Sequence, residues 1–235
     1  MLNTTPEKKG TIKIVIFAAF IILIMIGAVF LSLKQKKEKV PYALTTQVKI
    51  YTEGGYGTGT IIAKDEDEVI IVSNHHVLSD WNENGKVVFY NGDEAFGQQF
   101  GGDAKLDLNF LSIPRENIPD KTFEGINQVD ITYSPAEVSS TKEGVQDRLF
   151  VTIYDIFNDT ENRGTIEETS TYIYDLDRIL MYGHCKACEG MSGAGIFDED
   201  DKCIGILLAG GEEDEIAAIL NKDILKCIGE NSFLW

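Results

Sequence analysis

Three polar side chains in apolar company have the types needed for acyl-transfer chemistry. Ser192 lies in CEGMSGAGIF, a glycine-rich bend ahead of an apolar run. His75 and His76 lie in IVSNHHVLSD, where another apolar run ends, and they are two of only 3 histidines in the chain. Asp107 opens a third run in AKLDLNFLSIP. Each has a plain structural reading: a surface histidine, a turn aspartate, a tight Gly-Met-Ser-Gly turn. Together, in the order His, Asp, Ser, they offer a base, an orienting acid and a nucleophile. A serine hydroxyl is a weak nucleophile until a neighbouring imidazole takes its proton. A carboxylate must then hold the tautomer and orientation of that imidazole. Glycines around Ser192 would let the N–H groups of Gly190 and Ser192 face a developing oxyanion, worth about 3–4 kcal/mol per donor.

The elements that must position these residues read as strands. Short β-branched or alternating runs fall at 46–51, 57–63, 68–73, 86–90 and 108–113, and again at 148–156, 169–176, 193–198 and 203–210. Turn-rich stretches such as KDEDE, NENG and NGDE separate them, a pattern that predicts an all-β sandwich or barrel. Only the tail 215–233 shows helical spacing, through Ile219, Ile224, Leu225 and Ile228, with Asn221 or Asp223 as its cap.

Ahead of this body, Ile14 to Leu33 run without a charge. At helical rise that is about 30 Å, the thickness of a hydrocarbon core. The run ends FLSLKQKK, with no small-x-small cleavage site, so it reads as an uncleaved transmembrane helix and not a signal peptide. Lysines flank it on both sides and leave the positive-inside rule undecided. An even count of 4 cysteines, all in the body, places residues 44–235 outside the cytosol, with a short cytoplasmic tail (1–13) and a basic linker (34–43). The chain carries a formal charge of −17 although its first 39 residues are net basic. A body so acidic, without a basic stripe, excludes nucleic acid as a partner.

The segment GTGTIIAKDEDEVIIVSNHHVLSD resembles the opening of chymotrypsin-fold (trypsin-like) serine proteases, above all the HtrA-like bacterial branch. There a G-[ST]-G-x-x-I strand leads to an [ST]-N-x-H-V motif. DLNFLSI is similar to the segment carrying the family's aspartate, and EGMSGAGIFDEDDKCIGILLAGG to its nucleophile segment and following strand. The resemblance spans about 44–230. It implies two packed six-stranded β-barrels, about 44–118 and 125–215, with a changeover near 114–130 and a C-terminal helix at about 216–230. It also implies a serine endopeptidase with His76 as base, Asp107 as orienting acid, Ser192 as nucleophile, and Gly190 and Ser192 as oxyanion donors. The preference for His76 over His75 rests on the alignment alone. Met191 departs from the family's Asp or Asn before the nucleophile, and Ala194-Gly195 from its Gly-Pro. No PDZ domain is expected after the body.

The resemblance also frames a substrate pocket with Lys186, Leu208, Ala209 and Gly210. Lys186 would either favour an acidic residue before the cut bond or lie along the surface with its head in solvent, the simpler outcome. Cys185 and Cys188 with His184 could form half a zinc site, but a second close ligand pair is missing. No cofactor or metal is therefore expected. Structural disulfides among Cys185, Cys188, Cys203 and Cys227 are expected instead, with Cys203–Cys227 preferred. Two further readings keep the same residues: an inactive or latent trypsin-like domain that binds extracellular peptides or proteins, and a metal-dependent protein using His184 and the cysteine pair. The expected partners are protein or peptide substrates and, through residues 14–33, the bilayer.

Overall fold

Two strands with unbroken apolar runs organise the first half of the body. In EVIIV, Val69 and Ile71 point to one face and Ile70 and Val72 to the other, as the two-residue period of a strand requires. Both faces are buried. Val69 and Ile71 pack with Val48, Ile50, Ile61 and Leu111 inside the first sheet. Ile70 and Val72 pack with Phe197, Cys203 and Ile206 of the second half. A run with no polar alternation is what such double burial demands.

This computed structural model describes residues 40–231 apart from 141 and 145. The expected membrane helix 14–33 and the N-terminal tail lie outside them. Among the described residues no helix is long and apolar enough to cross a membrane. The chain begins with a one-turn helix α1 (Tyr42–Thr45), then β1 (Gln47–Tyr51), β2 (Tyr56–Lys64), β3 (Glu68–Asn74) and a one-turn helix α2 (His75–Leu78). β4 (Lys86–Val88), β5 (Glu94–Ala95), β6 (Gln98–Asp103) and β7 (Leu108–Pro114) complete a 7-stranded sheet in the order β5-β4-β1-β2-β3-β7-β6. The short helix α3 (Asp120–Gly125) opens the long connection to the second half. There β8 (Leu149–Asp155), β9 (Thr160–Ile173), β10 (Arg178–His184), β11 (Gly195–Asp198), β12 (Cys203–Gly210) and β13 (Glu215–Leu220) close into a barrel, order β10-β13-β12-β11-β8-β9. Helix α4 (Asn221–Asn231) follows.

Two expectations need correction. The first sheet is not a closed six-stranded barrel: its end strands β5 and β6 are consecutive in the chain but share no ladder. Only Phe96 and Gly97 separate them, so the sheet curls round to bring its edges together, and Gly97 packs against Ser112 of β7 where a side chain would collide. The second correction concerns EIAAIL, expected as helix but folded as β13, with Ile216 to Leu220 all buried between β10 and β12. Short apolar runs do not distinguish a buried strand from a helix. The barrel needs this strand to close, so the helix starts only at Asn221. The changeover is also longer than expected, from 115 to 148.

Three apolar clusters result. One fills the first sheet, one the closed barrel (Val151, Ile153, Met181, Met191, Ile196, Ile204, Leu207), and one lies between them. The last draws on Leu108 and Phe110 from β7 and on Ile224 and Ile228 of α4. It joins the two halves across their backs and leaves the polar strand ends free to meet.

Candidate active site

The pairing of β3 with β7 brings the histidine and the aspartate together. Ser73 lies opposite Asn109 and Asn74 opposite Leu108, so the next pair is His75 and Asp107. The ladder adds that rung, His75 N–H donating to Asp107 O at 2.9 Å. The chain then turns into α2 and carries the next residue, His76, over the aspartate side chain. Asp107 Oδ2 lies 2.7 Å from His76 Nδ1, and Oδ1 accepts the His76 backbone N–H at 2.8 Å. Both carboxylate oxygens therefore serve one residue. His75 points elsewhere, its Nδ1 3.3 Å from Asn109 Nδ2. Register sets which of the two adjacent histidines meets the Asp107 side chain.

Asp107 has φ 55°, left-handed and uncommon outside glycine. Aspartate tolerates this conformation better than most residues, and three hydrogen bonds to 75 and 76 hold it. The carboxylate is only 15% exposed, whereas the imidazole is 51% exposed. An acid sheltered beneath an open imidazole can fix the ring while leaving its other nitrogen to act.

The Ser192 bend is defined by which of its peptide groups have partners. Gly190 (φ 89°) and Gly193 (φ 88°) both take left-handed conformations that a side chain would strain. Peptide 190–191 is held at both ends: Thr58 Oγ1 donates to Gly190 O at 2.7 Å, and Met191 N–H donates to Cys188 O at 3.1 Å. Peptide 192–193 is held likewise, by Thr58 N–H to Ser192 O (2.9 Å) and by Gly193 N–H to Leu207 O (2.9 Å). So is 193–194, by Thr60 Oγ1 to Gly193 O (2.9 Å) and by Ala194 N–H to Met191 O (2.9 Å). From 190 to 194, the N–H groups with no acceptor among the described residues are those of Gly190 and Ser192. Two unpaired donors in one loop are available to an anion.

The two halves of the site meet at β2, which pairs with β3 on one side and bonds the serine loop through Thr58. Gly57 is the spacer: a β-carbon there would strike Val77, next to His76, and come close to Ser192 O. Ser192 is half-buried, and its hydroxyl makes no hydrogen bond to a described residue. Hydrogen bonds of this kind often form only when substrate is in place.

A histidine on its aspartate, a half-buried serine and two open N–H donors are the parts of an acyl-transfer site. Residues 57–206 match the family described as "Trypsin-like peptidase domain". The chain belongs to the trypsin-like peptidase family. No curated protein matches it. Among solved structures it is similar to the inactive form of a serine-to-alanine mutant of Rv3671c from M. tuberculosis H37Rv. The TM-score is 0.57 at 15% identity, covering 81% of this chain and 88% of that one. Likeness at that identity speaks for the fold, which is all-β and chymotrypsin-like, with one closed barrel, one open sheet and a C-terminal helix.

In this trypsin-like peptidase the expected pocket residues are placed unequally. Gly210 is exposed and faces Ala187, which a β-carbon at 210 would crowd, so the two segments lie side by side. Ala209 is half-buried beside an irregular rung between β12 and β13. Leu208 is a correction: it packs into the core between the halves and presents no side chain to a pocket. Lys186 is exposed and makes no ion pair among the described residues.

The cysteines also differ from expectation. Cys185, Cys188 and Cys203 are free thiols, so the preferred Cys203–Cys227 bridge is not made. Both residues of that pair serve as small apolar filling in the core between the halves. Burial pushes the Cys203 thiol up to about 12 and the Cys185 thiol to about 11. His184 faces Glu167 at 3.5 Å.

Thr58 and Thr60 went unremarked in the sequence, because threonine in a strand reads simply as a β-former. Their one signal is that both fall on alternate positions of an otherwise apolar buried strand, GTGTIIA.

Proposed function

We propose that this peptidase is a serine endopeptidase that cleaves peptide bonds through an acyl-enzyme on Ser192. What supports this reading is the two-oxygen Asp107–His76 contact together with the two open N–H groups of the Ser192 loop, which Thr58 of β2 ties to the first sheet. His76 Nε2 takes the Ser192 Oγ proton as Oγ bonds to the scissile carbonyl carbon. The carbonyl oxygen, now negative, is received by the N–H groups of Gly190 and Ser192. Collapse breaks the C–N bond, and His76 returns the proton to the leaving amine. Water then attacks the acyl ester with His76 again as base, and Ser192 regains its proton. Asp107 keeps the Nδ1 proton in place and stabilises the imidazolium throughout.

With the Lys186 head in solvent and Ala187 beside Gly210, the pocket of this reading takes small apolar residues before the cut bond. Anchoring through Ile14–Leu33, with the peptidase outside the cytosol, belongs to the same proposal and rests on the uncharged length of that run. Resistance of the chain in membrane vesicles to alkaline carbonate extraction would support it, and release of the intact chain would refute it.

The decisive experiment treats the full-length chain in detergent with a fluorophosphonate probe and maps the adduct by peptide mass spectrometry. One adduct on Ser192, lost in His76→Ala, is the expected result. A folded chain with no adduct, or with an adduct elsewhere, refutes the assignment and points to a peptide-binding domain.

A further inference from the structure

The serine loop is gripped from outside its own barrel by a single strand. Thr58 contributes two of the three contacts from β2, its N–H to Ser192 O and its hydroxyl to Gly190 O, and Thr60 adds the third to Gly193 O. Both threonines are fully buried. Thr58 is itself held, its carbonyl accepting from the buried Ser73 hydroxyl at 2.6 Å. Ser73 lies on β3, the strand that delivers His76. A chain of hydrogen bonds thus runs from the strand carrying the imidazole to the peptide beside an open N–H.

The Thr58 hydroxyl bond lies where it governs the direction of the Gly190 N–H. The carbonyl it holds belongs to peptide 190–191, whose N–H is also bonded, to Cys188 O. With that peptide immobile, the Gly190 N–H can turn away only by rotation about the φ and ψ of Gly190 itself. The rings of Tyr56 and Phe157 lie against the Gly190 α-carbon so closely that a β-carbon would overlap Tyr56. Glycine alone fits, and the aromatic pair narrows the freedom that glycine would otherwise have.

We propose that Thr58 is a positioning residue of the oxyanion site: its side-chain hydroxyl, by holding Gly190 O, keeps the Gly190 N–H aimed at the reacting carbonyl. The proposal rests on the assignment of Ser192 as nucleophile. Valine has the shape and strand preference of threonine without the hydroxyl, so Thr58→Val removes one hydrogen bond and leaves the strand intact. The Gly190 carbonyl, buried without its donor, would rotate to find another, and the adjoining N–H would move with it.

The full-length chain in detergent is assayed with fluorescently quenched casein, a peptide boronate and the fluorophosphonate probe. Thr58→Val should lower kcat by about 30-fold, less than outright loss of an oxyanion donor, with KM changed by less than about threefold. Boronate affinity should fall in step with kcat/KM, because the tetrahedral adduct uses the same donor. Thr58→Ser, which keeps the hydroxyl, should recover kcat to within about threefold. Thr60→Val removes a bond beyond the nucleophile and should lower Tm as much as Thr58→Val with a smaller loss of kcat. If Thr58→Val lowers Tm but keeps kcat within about threefold, the hydroxyl is merely structural and the proposal fails. Equal kcat losses in Thr58→Val and Thr60→Val, or no recovery with serine, overturn it too. A wild-type chain that takes no label at Ser192 instead overturns the nucleophile assignment, and this proposal falls with it.

Discussion

Replacing Asp107 with Asn would change one oxygen for an amide and leave the backbone undisturbed, because asparagine tolerates φ near 55° as well as aspartate does. The carboxylate now accepts twice from His76, from the backbone N–H at 2.8 Å and from Nδ1 at 2.7 Å. Asparagine has one acceptor oxygen. If that oxygen keeps the backbone N–H, the amide NH2 faces Nδ1, which must then be the acceptor nitrogen of the ring. The ring proton moves to Nε2, and Nε2 can no longer take a proton from Ser192. Under the proposed mechanism this tautomer error should lower kcat about 10⁴-fold, or about 5.5 kcal/mol of barrier. Folding should suffer far less, by about 1–3 kcal/mol for one charge-assisted bond exchanged for a neutral one. The measurement is the fluorophosphonate labelling rate at Ser192 together with casein turnover, read beside a thermal melt. An Asp107→Asn protein that is folded and turns over within about tenfold of wild type would show that Asp107 does not set the tautomer. Asp107→Ala is the harsher comparison. It adds about 1–2 kcal/mol of left-handed strain and leaves the His76 N–H without its acceptor.

Other outcomes follow from the same contacts. His75→Ala should retain turnover to within about threefold, since His75 faces Asn109 and not Asp107; a loss comparable to that of His76→Ala would mean the two histidines are misassigned. Native protein treated with a thiol reagent near pH 8 should react first at the exposed Cys188, because thiols held near 11 and 12 at Cys185 and Cys203 stay protonated, as peptide mapping of the modified protein would show. Reducing agent should leave Tm unchanged, as the Cys203–Cys227 bridge is not made. Tyr133, bonded to Asp198, Tyr154, buried and bonded to Asp159, and Tyr182, bonded to Glu215, are all pushed up to about 12. A raised folded value means their contribution is complete below pH 10 and is lost as pH climbs through about 12, so an alkaline melt should fall in that window and shift in Tyr154→Phe.

The legible parts of the sequence were those where polarity contrasts with its surroundings. His76, Asp107 and Ser192 stand out because each interrupts or opens an apolar run, and the structure brings the first two into contact through strand register. β9 was largely missed because most of its 14 residues, TENRGTIEETSTYI, are polar and at least partly exposed, which hides a strand among turns. β13 was misread because a strand covered on both faces has no alternation to betray it. The closed form of the first barrel was overestimated because β5 is only two residues long and pairs with β4 alone, leaving no ladder to β6. The Cys203–Cys227 bridge was expected as a tie between a barrel strand and the terminal helix, yet it is not made and both residues lie in the apolar core between the halves. Thr58 and Thr60 showed only their alternation within an apolar strand, because the bonds that distinguish them cross to residues 132 and 133 positions away.

A trypsin-like site on this scaffold needs two separately folded sheets to hold a few atoms in register. Here the contacts from residues 190–194 to the first sheet run through uncharged groups: the Thr58 amide and hydroxyl and the Thr60 hydroxyl. On the barrel side the holders are backbone carbonyls and the buried Met191, whose sulfur accepts the Cys188 N–H at 3.2 Å. A carboxylate in place of Met191 would need a buried cation as partner, and its loop would open as that pair titrated or separated. A thioether in an apolar core has no such dependence. The loop should therefore keep its shape across the range in which carboxylates and imidazoles titrate. A Met191→Asp chain should convert this pH-independent anchor into a titrating one, losing boronate affinity as the new carboxylate ionises while the His76–Asp107 contact stays intact.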